Sequence, residues 1–257
     1  YHLLEPGRVE WIGVQTYAKL LGDADFRDVL WQTLSLALFV IPLQTAASIL
    51  LATLLSHKRL LHTNLIRSLF FLPSIIPSVA AVLVTRDFLD PGRGWWSRML
   101  LGPLGLSDTP FLQPGGHPQT LYILTSLWAI GPGFLIILAA LQRIPGEIHE
   151  AARLDGAGPI VRYAAITLPL VSPAVFFCLI INLTAVFGGA ILLDRGSSLS
   201  TETSSLASHL HFLLFEKWQL GYASGVAWVF FFLSMILVSS LFASSKRWVF
   251  FPKGNNE

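Results

Sequence analysis

Glu150, Ala151, Ala152, Arg153, Asp155 and Gly156 stand together in a polar stretch between two apolar ones, and Ile166, Leu168 and Pro169 follow before the second apolar stretch. The chemistry these residues offer is grip rather than catalysis. Glu150 and Arg153 supply charge-assisted contacts to a partner surface, and Ala151 and Ala152 are small enough to let the backbone approach that surface closely. Pro145 suits the first turn of a short helix, Glu147 and Glu150 suit its N-terminal half through the helix dipole, and Gly156 suits the left-handed residue that ends it. Asp155 is placed to help close the same turn. Pro159 then starts a second helical stretch that leads through Ile166 and Leu168 to Pro169, where the chain is expected to enter an apolar span.

Other chemistries are poorly supplied. The sequence has no G-x-x-x-x-G-K-[ST] loop, so this chain is not expected to hydrolyse ATP, and it has no H-E-x-x-H helix. His209 and His211 have no third ligand beside them, and no metal is expected. Cys178 is the single cysteine of the chain and lies inside an apolar run, where a small buried hydrophobe is the expected role. A net charge of +2, with no Lys/Arg run longer than a pair, gives no electrostatic basis for binding a nucleic acid.

The elements that must position the polar stretch are membrane helices. Apolar residues make up 53% of the chain and charged residues 12%, against a soluble average of about 25% charged. Five windows reach the length of about 20 residues that a helix needs to cross a bilayer, at 29–55, 66–86, 118–140, 171–193 and 223–244. The expected fold is an all-α integral membrane protein, a single transmembrane domain over 1–257, with the loop 141–170 outside the bilayer. Pro73, Pro77 and the run Gly131-Pro132-Gly133 predict kinked or broken helices in the second and third spans. Trp95 and Trp96 are read as interfacial anchors.

Basic residues decide the orientation. The segments 56–67, 141–170 and 245–257 hold nine of the seventeen Lys and Arg residues, in roughly 55 residues against roughly 90 on the other side, so the polar loop and the C-terminus are expected in the cytoplasm. The segment before the first span is then external. Because the chain opens at Tyr1 with no signal-peptide pattern, a further span preceding it is expected.

The pattern E-A-A-x3-G-x9-I-x-L-P formed by Glu150 to Pro169 resembles the cytoplasmic signature of the transmembrane subunits of binding-protein-dependent ABC importers. The flanking text from Leu138 to Ala174 is most similar to the sugar and glycerol-phosphate type. The resemblance extends over nearly all of the chain from about Trp11, and it implies a six-helix core of which five helices are present here. It also implies that Glu150, Ala151, Ala152, Arg153, Asp155, Gly156, Ile166, Leu168 and Pro169 form the coupling element that a separate ATPase dimer engages. ATP and Mg would be used by that ATPase, and this chain itself would bind no cofactor. The further partners implied are a second permease subunit, which completes the pore, and an external solute-binding protein. The implied location is a bacterial or archaeal plasma membrane, crossed several times.

Polar groups inside apolar spans tend to face a bundle interior or a cavity. Ser126 and Trp128 ahead of the Gly-Pro-Gly run, and Asn182, Thr184 and Phe187 ahead of Gly188-Gly189, therefore mark a translocation path. The mix of hydroxyl, amide and aromatic groups suits a sugar. For each single polar residue an interhelical hydrogen bond stays open as the alternative, as it does for Gln44 and Ser48. The stretch from Leu193 to Ser198 departs from the Gly-Gly-Gly-Pro type turn of the related permeases. A secondary, ion-coupled transporter would require membrane-embedded acids or inverted repeats, which the sequence does not show. An importer of a polyamine or an inorganic anion remains an alternative, because the coupling loop does not encode cargo.

Overall fold

The computed structural model describes residues 15–56, 63–76, 130–189 and 206–250, with isolated positions between 80 and 127. Every extended element among the described residues is helical. In chain order these are α1 (Gln15–Gly22), α2 (Ala24–Ser56), α3 (Thr63–Phe71), which runs into a 3-10 turn at Leu72–Ile75, α4 (Gly131–Gln142), α5 (Gly146–Leu154), α6 (Pro159–Arg162), α7 (Leu168–Gly189), α8 (Leu206–Phe215) and α9 (Leu220–Trp248). A π-helical turn, Tyr163–Thr167, joins α6 to α7 without a break.

Among the described residues three helical stretches are long and apolar enough to cross a membrane: Ala24–Ser56, Pro159–Phe187 and Leu220–Trp248. At 1.5 Å per residue the first is about 50 Å long, more than the roughly 30 Å of a hydrocarbon core. The helix therefore begins at Ala24, ahead of the expected start at Val29, because its first turn lies in the polar zone, where hydropathy does not detect it. The same argument extends the fourth expected span back to Pro159 and the fifth to Leu220–Trp248. Much of the expected spans 66–86 and 118–140, including Trp128, lies outside the described residues. Leu65–Ile75 and Gly131–Gln142 are the shorter apolar helices found within them. The helix α8 falls in a segment read from sequence as an external loop, and its ten residues are too few to span.

Contacts divide the chain into two compact units. The first comprises Tyr1–Val40, Ile76–Ser126 and Thr184–Ile236. Its core joins Leu20 of α1, Phe26 and Val29 of α2, Leu206 and Leu213 of α8, and Ala223 and Val226 of α9. Thr33 fastens α8 to α2: its hydroxyl donates to the Val29 carbonyl at 2.8 Å and accepts the Leu206 N–H at 2.8 Å. That N–H opens α8, where no carbonyl of the helix itself is available. At the start of α2, one Asp23 carboxylate oxygen accepts the Asp25 N–H at 3.1 Å, a helix N-cap, and the other accepts the Tyr222 hydroxyl at 2.6 Å. The Tyr222 bond leads the effects that hold the Asp23 carboxyl below the usual carboxylate range. His209 of α8 is buried, and that burial pushes its imidazole below the ordinary histidine value.

The second unit comprises Ile41–Ile75, Leu127–Leu183 and Leu237–Glu257. Ala52, Leu55, Phe134, Ile137, Leu138, Val171 and Cys178 form its core. Gly131 and Gly133 allow α4 to lie close against its neighbours. A Cβ at Gly131 would stand 3.0 Å from the Phe70 carbonyl oxygen and from Phe71 Cα, and one at Gly133 would stand 3.1 Å from Ser48 Oγ. The expected break at Gly131-Pro132-Gly133 is the start of α4, with Pro132 in its first turn. Pro73 lies in the 3-10 turn that ends α3, as the expected kink required.

Prolines also explain the shape around α7. Pro169 has no N–H, so the Ala165 carbonyl loses its α-helical partner. The turn before it widens, with the Leu168 N–H reaching back to the Tyr163 carbonyl. Pro173 likewise strands the Pro169 carbonyl. The Ser172 hydroxyl donates to that carbonyl at 2.6 Å and accepts the Phe250 N–H at 2.9 Å, which ties the chain after α9 to the entry of α7.

Candidate functional site

The motif residues form a short surface helix closed by a glycine turn. Pro145 is the residue that caps α5 rather than the first within it, with an extended backbone at ψ 136° that turns the chain into Gly146. Glu147 lies in the first turn and Arg153 in the last, each at the helix end whose dipole favours its charge. The far end is a Schellman closure. The Ala157 N–H bonds the Ala152 carbonyl at 3.0 Å, the Gly156 N–H bonds the Arg153 carbonyl at 3.2 Å, and Gly156 itself has φ +80°. Asp155 stands at the C-cap, and its N–H bonds the Ala151 carbonyl at 3.0 Å. Gly158 and Pro159 then open α6, with Pro159 in the first turn as expected.

No residue of α5 is buried. Glu150, Ala151, Arg153, Asp155 and Gly156 are exposed and Ala152 is half-buried. The side chains of Glu150 and Arg153 make no hydrogen bond or ion pair with the described residues. Two features were missed in the sequence reading. Leu154 is 90% exposed, and Ile160 and Val161 are 81% and 57% exposed on the other side of the glycine turn. The signal was present as apolar residues within a polar loop, but nothing in their spacing distinguishes an exposed knob from a packed one. Ile166 and Pro169 are half-buried and Leu168 is exposed, so the last part of the motif positions the loop on α7.

The second omission is a cavity of about 680 Å³ behind α5. Thr53 and Ser56 of α2, Arg67 of α3, His149 of α5, and Tyr163 and Thr167 of the π turn line it, with Gln142 and Gly146. Tyr163 and Thr53 meet there hydroxyl to hydroxyl at 2.9 Å, and because the Thr53 hydroxyl donates to the Ile49 carbonyl at 2.8 Å, the phenol is the donor of the pair.

The expected path residues have different surroundings. Asn182 Nδ2 donates to Thr45 Oγ1 at 3.1 Å, and that hydroxyl donates to the Ile41 carbonyl at 2.8 Å. This is the interhelical bond that stood as the alternative reading, a contact worth about 0.6 kcal/mol on average in membranes. Phe187 is 3% exposed and packs on the Phe230 ring at 5.4 Å between centroids. Thr184 is exposed and Ser126 is buried. Ser48 is buried against α4. Among the described residues no group of His, Cys, Asp or Glu is arranged to hold a metal ion.

Residues 25–249 match the family described as binding-protein-dependent transport system inner membrane component. The chain belongs to that family. It is thus a translocation subunit of an ABC importer, an all-α, multi-pass membrane protein. Among known proteins this permease is 32% identical, over 93% of its length and 79% of the other's, to the probable ABC transporter permease protein YesP of Bacillus subtilis (strain 168). It is 34% identical to the sn-glycerol-3-phosphate transport system permease protein UgpA of Salmonella typhimurium, over 69% of this chain and 60% of that one. Among solved structures, a chain of a bacterial ABC transporter involved in the import of the acidic polysaccharide alginate superposes with a TM-score of 0.79. That match covers 93% of this permease and 85% of the other chain at 22% identity, and it establishes the shared fold.

Proposed function

We propose that this permease forms half of the translocation path for a carbohydrate or glycerol-phosphate-like solute, and that α5 is the handle by which a separate ATPase drives it. The single observation that carries the second part is the exposed knob. Leu154 is exposed at the end of α5, outside the spans, and Ile160 and Val161 are exposed across the glycine turn at the very start of the next apolar stretch, beside charged Glu150 and Arg153. Apolar side chains in such a place are covered at low cost only by a partner. Ala151 and Ala152 allow the close backbone approach, and Glu150 and Arg153 supply charge at the rim. Arg143, Arg153 and Arg162 support a cytoplasmic side for this loop, and Lys246 and Arg247 support the same side for the C-terminus.

The cargo class rests on relatives, one named for sn-glycerol-3-phosphate and, at the level of fold, one for alginate. Ser126, Trp128, Asn182, Thr184 and Phe187 are the path residues proposed from the sequence. The further partners are a second permease, a dimer of ATPase subunits that uses ATP and Mg, and an extracytoplasmic solute-binding protein, in a bacterial or archaeal plasma membrane. ATP binding closes the ATPase dimer, draws the two coupling helices together and opens the path outward. Hydrolysis resets it.

Two measurements on the assembled transporter test this. With a single thiol introduced by Leu154→Cys, a short bifunctional reagent is expected to link this chain to the ATPase, and the absence of any such link sinks the handle. ATP turnover is expected to rise when the binding protein presents a carbohydrate or glycerol phosphate. A rise with only a polyamine or inorganic anion overturns the cargo class and leaves the handle standing.

A further inference from the structure

We infer that the cavity behind α5 is a binding site for a phosphoryl anion carried on an organic ester, either a free cytosolic phosphate ester or the headgroup of an anionic lipid. Its volume of about 680 Å³ falls in the range of small-molecule sites, about 300–1,000 Å³, and exceeds what a bare anion fills. Arg67 is the decisive side chain. One of its terminal nitrogens donates to the Leu55 carbonyl at 3.2 Å, which fixes the guanidinium in the cavity wall. Its Nε is shielded from solvent and has no hydrogen-bond partner among the described residues. Among the described residues no Asp or Glu lines the cavity, so none of them answers the charge of Arg67 from within the wall. A planar guanidinium with an unused N–H matches a phosphate or carboxylate oxygen.

The opposite wall adds donors of the same kind. Gly146, the first residue of the nine-residue helix α5, lines the cavity, and no side chain caps that helix end. Its first amides and the positive end of its dipole favour an anion. His149, on the same helix, brings an imidazole N–H, and Gln142 and Thr167 bring an amide and a hydroxyl. Hydroxyl and amide groups are frequent among the described lining residues, which fits a ligand held by hydrogen bonds through its phosphoryl oxygens and its polar ester. A neutral sugar would leave the Arg67 charge without an opposing ion. Because Arg67 belongs to α3 and His149 to α5, one ligand touching both fixes α5 against the helices it leans on. The inference concerns binding alone and holds whichever cargo the path carries.

The test uses the whole transporter without nucleotide. Inorganic phosphate is titrated calorimetrically in discs of phosphatidylcholine, and the transporter is separately examined by native mass spectrometry after reconstitution with phosphatidylglycerol. Saturable phosphate binding that weakens at least about tenfold in Arg67→Gln, as expected for loss of a charged hydrogen-bond donor, supports a free phosphate ester as the source. Retention of phosphatidylglycerol by the wild-type complex but not by Arg67→Gln supports the headgroup. His149→Ala removes a half-buried side chain of the cavity lining and leaves Glu150, Arg153 and Leu154 in place. It is expected to weaken the same binding several-fold, and it carries the test if Arg67→Gln fails to assemble. Amide exchange across 146–154 is expected to slow with phosphate in the wild type and to be indifferent to it in the variants. Neither ligand bound by the wild type, or equal binding by wild type and variants, overturns the inference.

Discussion

The helices α5 and α7 lie close in sequence and treat their polar and apolar groups in opposite ways. Along α7 and the helices around it, polar side chains are closed on neighbouring carbonyls or on each other. Ser172 serves Pro169 and Phe250, Asn182 serves Thr45, and Cys178 donates to the Gly133 carbonyl at 3.4 Å. Along α5 the charged side chains of Glu150 and Arg153 extend into solvent, and Leu154 beside them is almost fully exposed. A group that satisfies itself contributes to holding the bundle together, while a group left open is available to another protein. Substitutions in the two regions should therefore separate cleanly, one set changing thermal stability and the other changing communication with the ATPase.

The largest effect is expected from Glu150→Lys. Reversing a rim charge at a protein interface costs at least about tenfold, so turnover stimulated by the binding protein should fall by that factor or more. The thermal midpoint of the isolated permease should not move. A drop in the midpoint would break the comparison, because it would place Glu150 among the groups that hold the fold. Gly131→Ala is the converse. Its Cβ would meet backbone atoms of Phe70 and Phe71 at 3.0 Å, and overpacking of this kind costs about 1–3 kcal/mol, visible as a lower midpoint in heat-induced unfolding.

Gly156→Val is expected to act like Glu150→Lys at smaller size. A β-branched residue at φ +80° is strained by about 1–2 kcal/mol, and the closure of α5 loosens, so stimulated turnover drops several-fold. Gly156→Asn, which tolerates the left-handed region, should retain most of the activity. A Cβ at Gly156 meets no atom within 4 Å in this chain, so equal loss in both variants would point to a partner surface pressed against it rather than to the backbone.

The smallest effect concerns acid stability at the start of α2. The Asp23 carboxyl is held below its unfolded value of about 3.9, so the folded state binds fewer protons than the unfolded one. Its stabilisation is present above that value and fades as pH falls through the folded one. Unfolding midpoints followed from pH 6 to pH 3 should show this loss, and Tyr222→Phe should flatten it.

The short helix α5 and its glycine closure were readable because each of their parts is a local rule. A proline ahead of a helix, acids near its start and a glycine at a left-handed end depend on a few neighbouring residues, and the structure places all of them within 145–159. The long apolar helices were readable for the same reason, since length and hydropathy are properties of one segment. Their ends were not, because the helical backbone continues past the last apolar residue, as at Ala24 and Trp248. The cavity was hidden for a different reason. Thr53, Arg67, His149 and Tyr163 are spread over more than a hundred positions, and no spacing signals their meeting. Arg67 entered the sequence reading only as a positive charge that orients the chain. Asn182 was legible as a polar residue in a span, but whether it faces a path or a neighbour depends on Thr45, 137 residues away.

The π turn at Tyr163–Thr167 amounts to one surplus residue wound into an otherwise regular coil. The extra residue offsets the rotational phase of what precedes it by about 100°, the angle per residue of an α-helix, and Pro169, which has no N–H, pins the offset at this place. Located between the knob at Leu154 and the body of α7, it sets which way α6 faces, so the direction in which Ile160 and Val161 point is decided by a proline several residues further on.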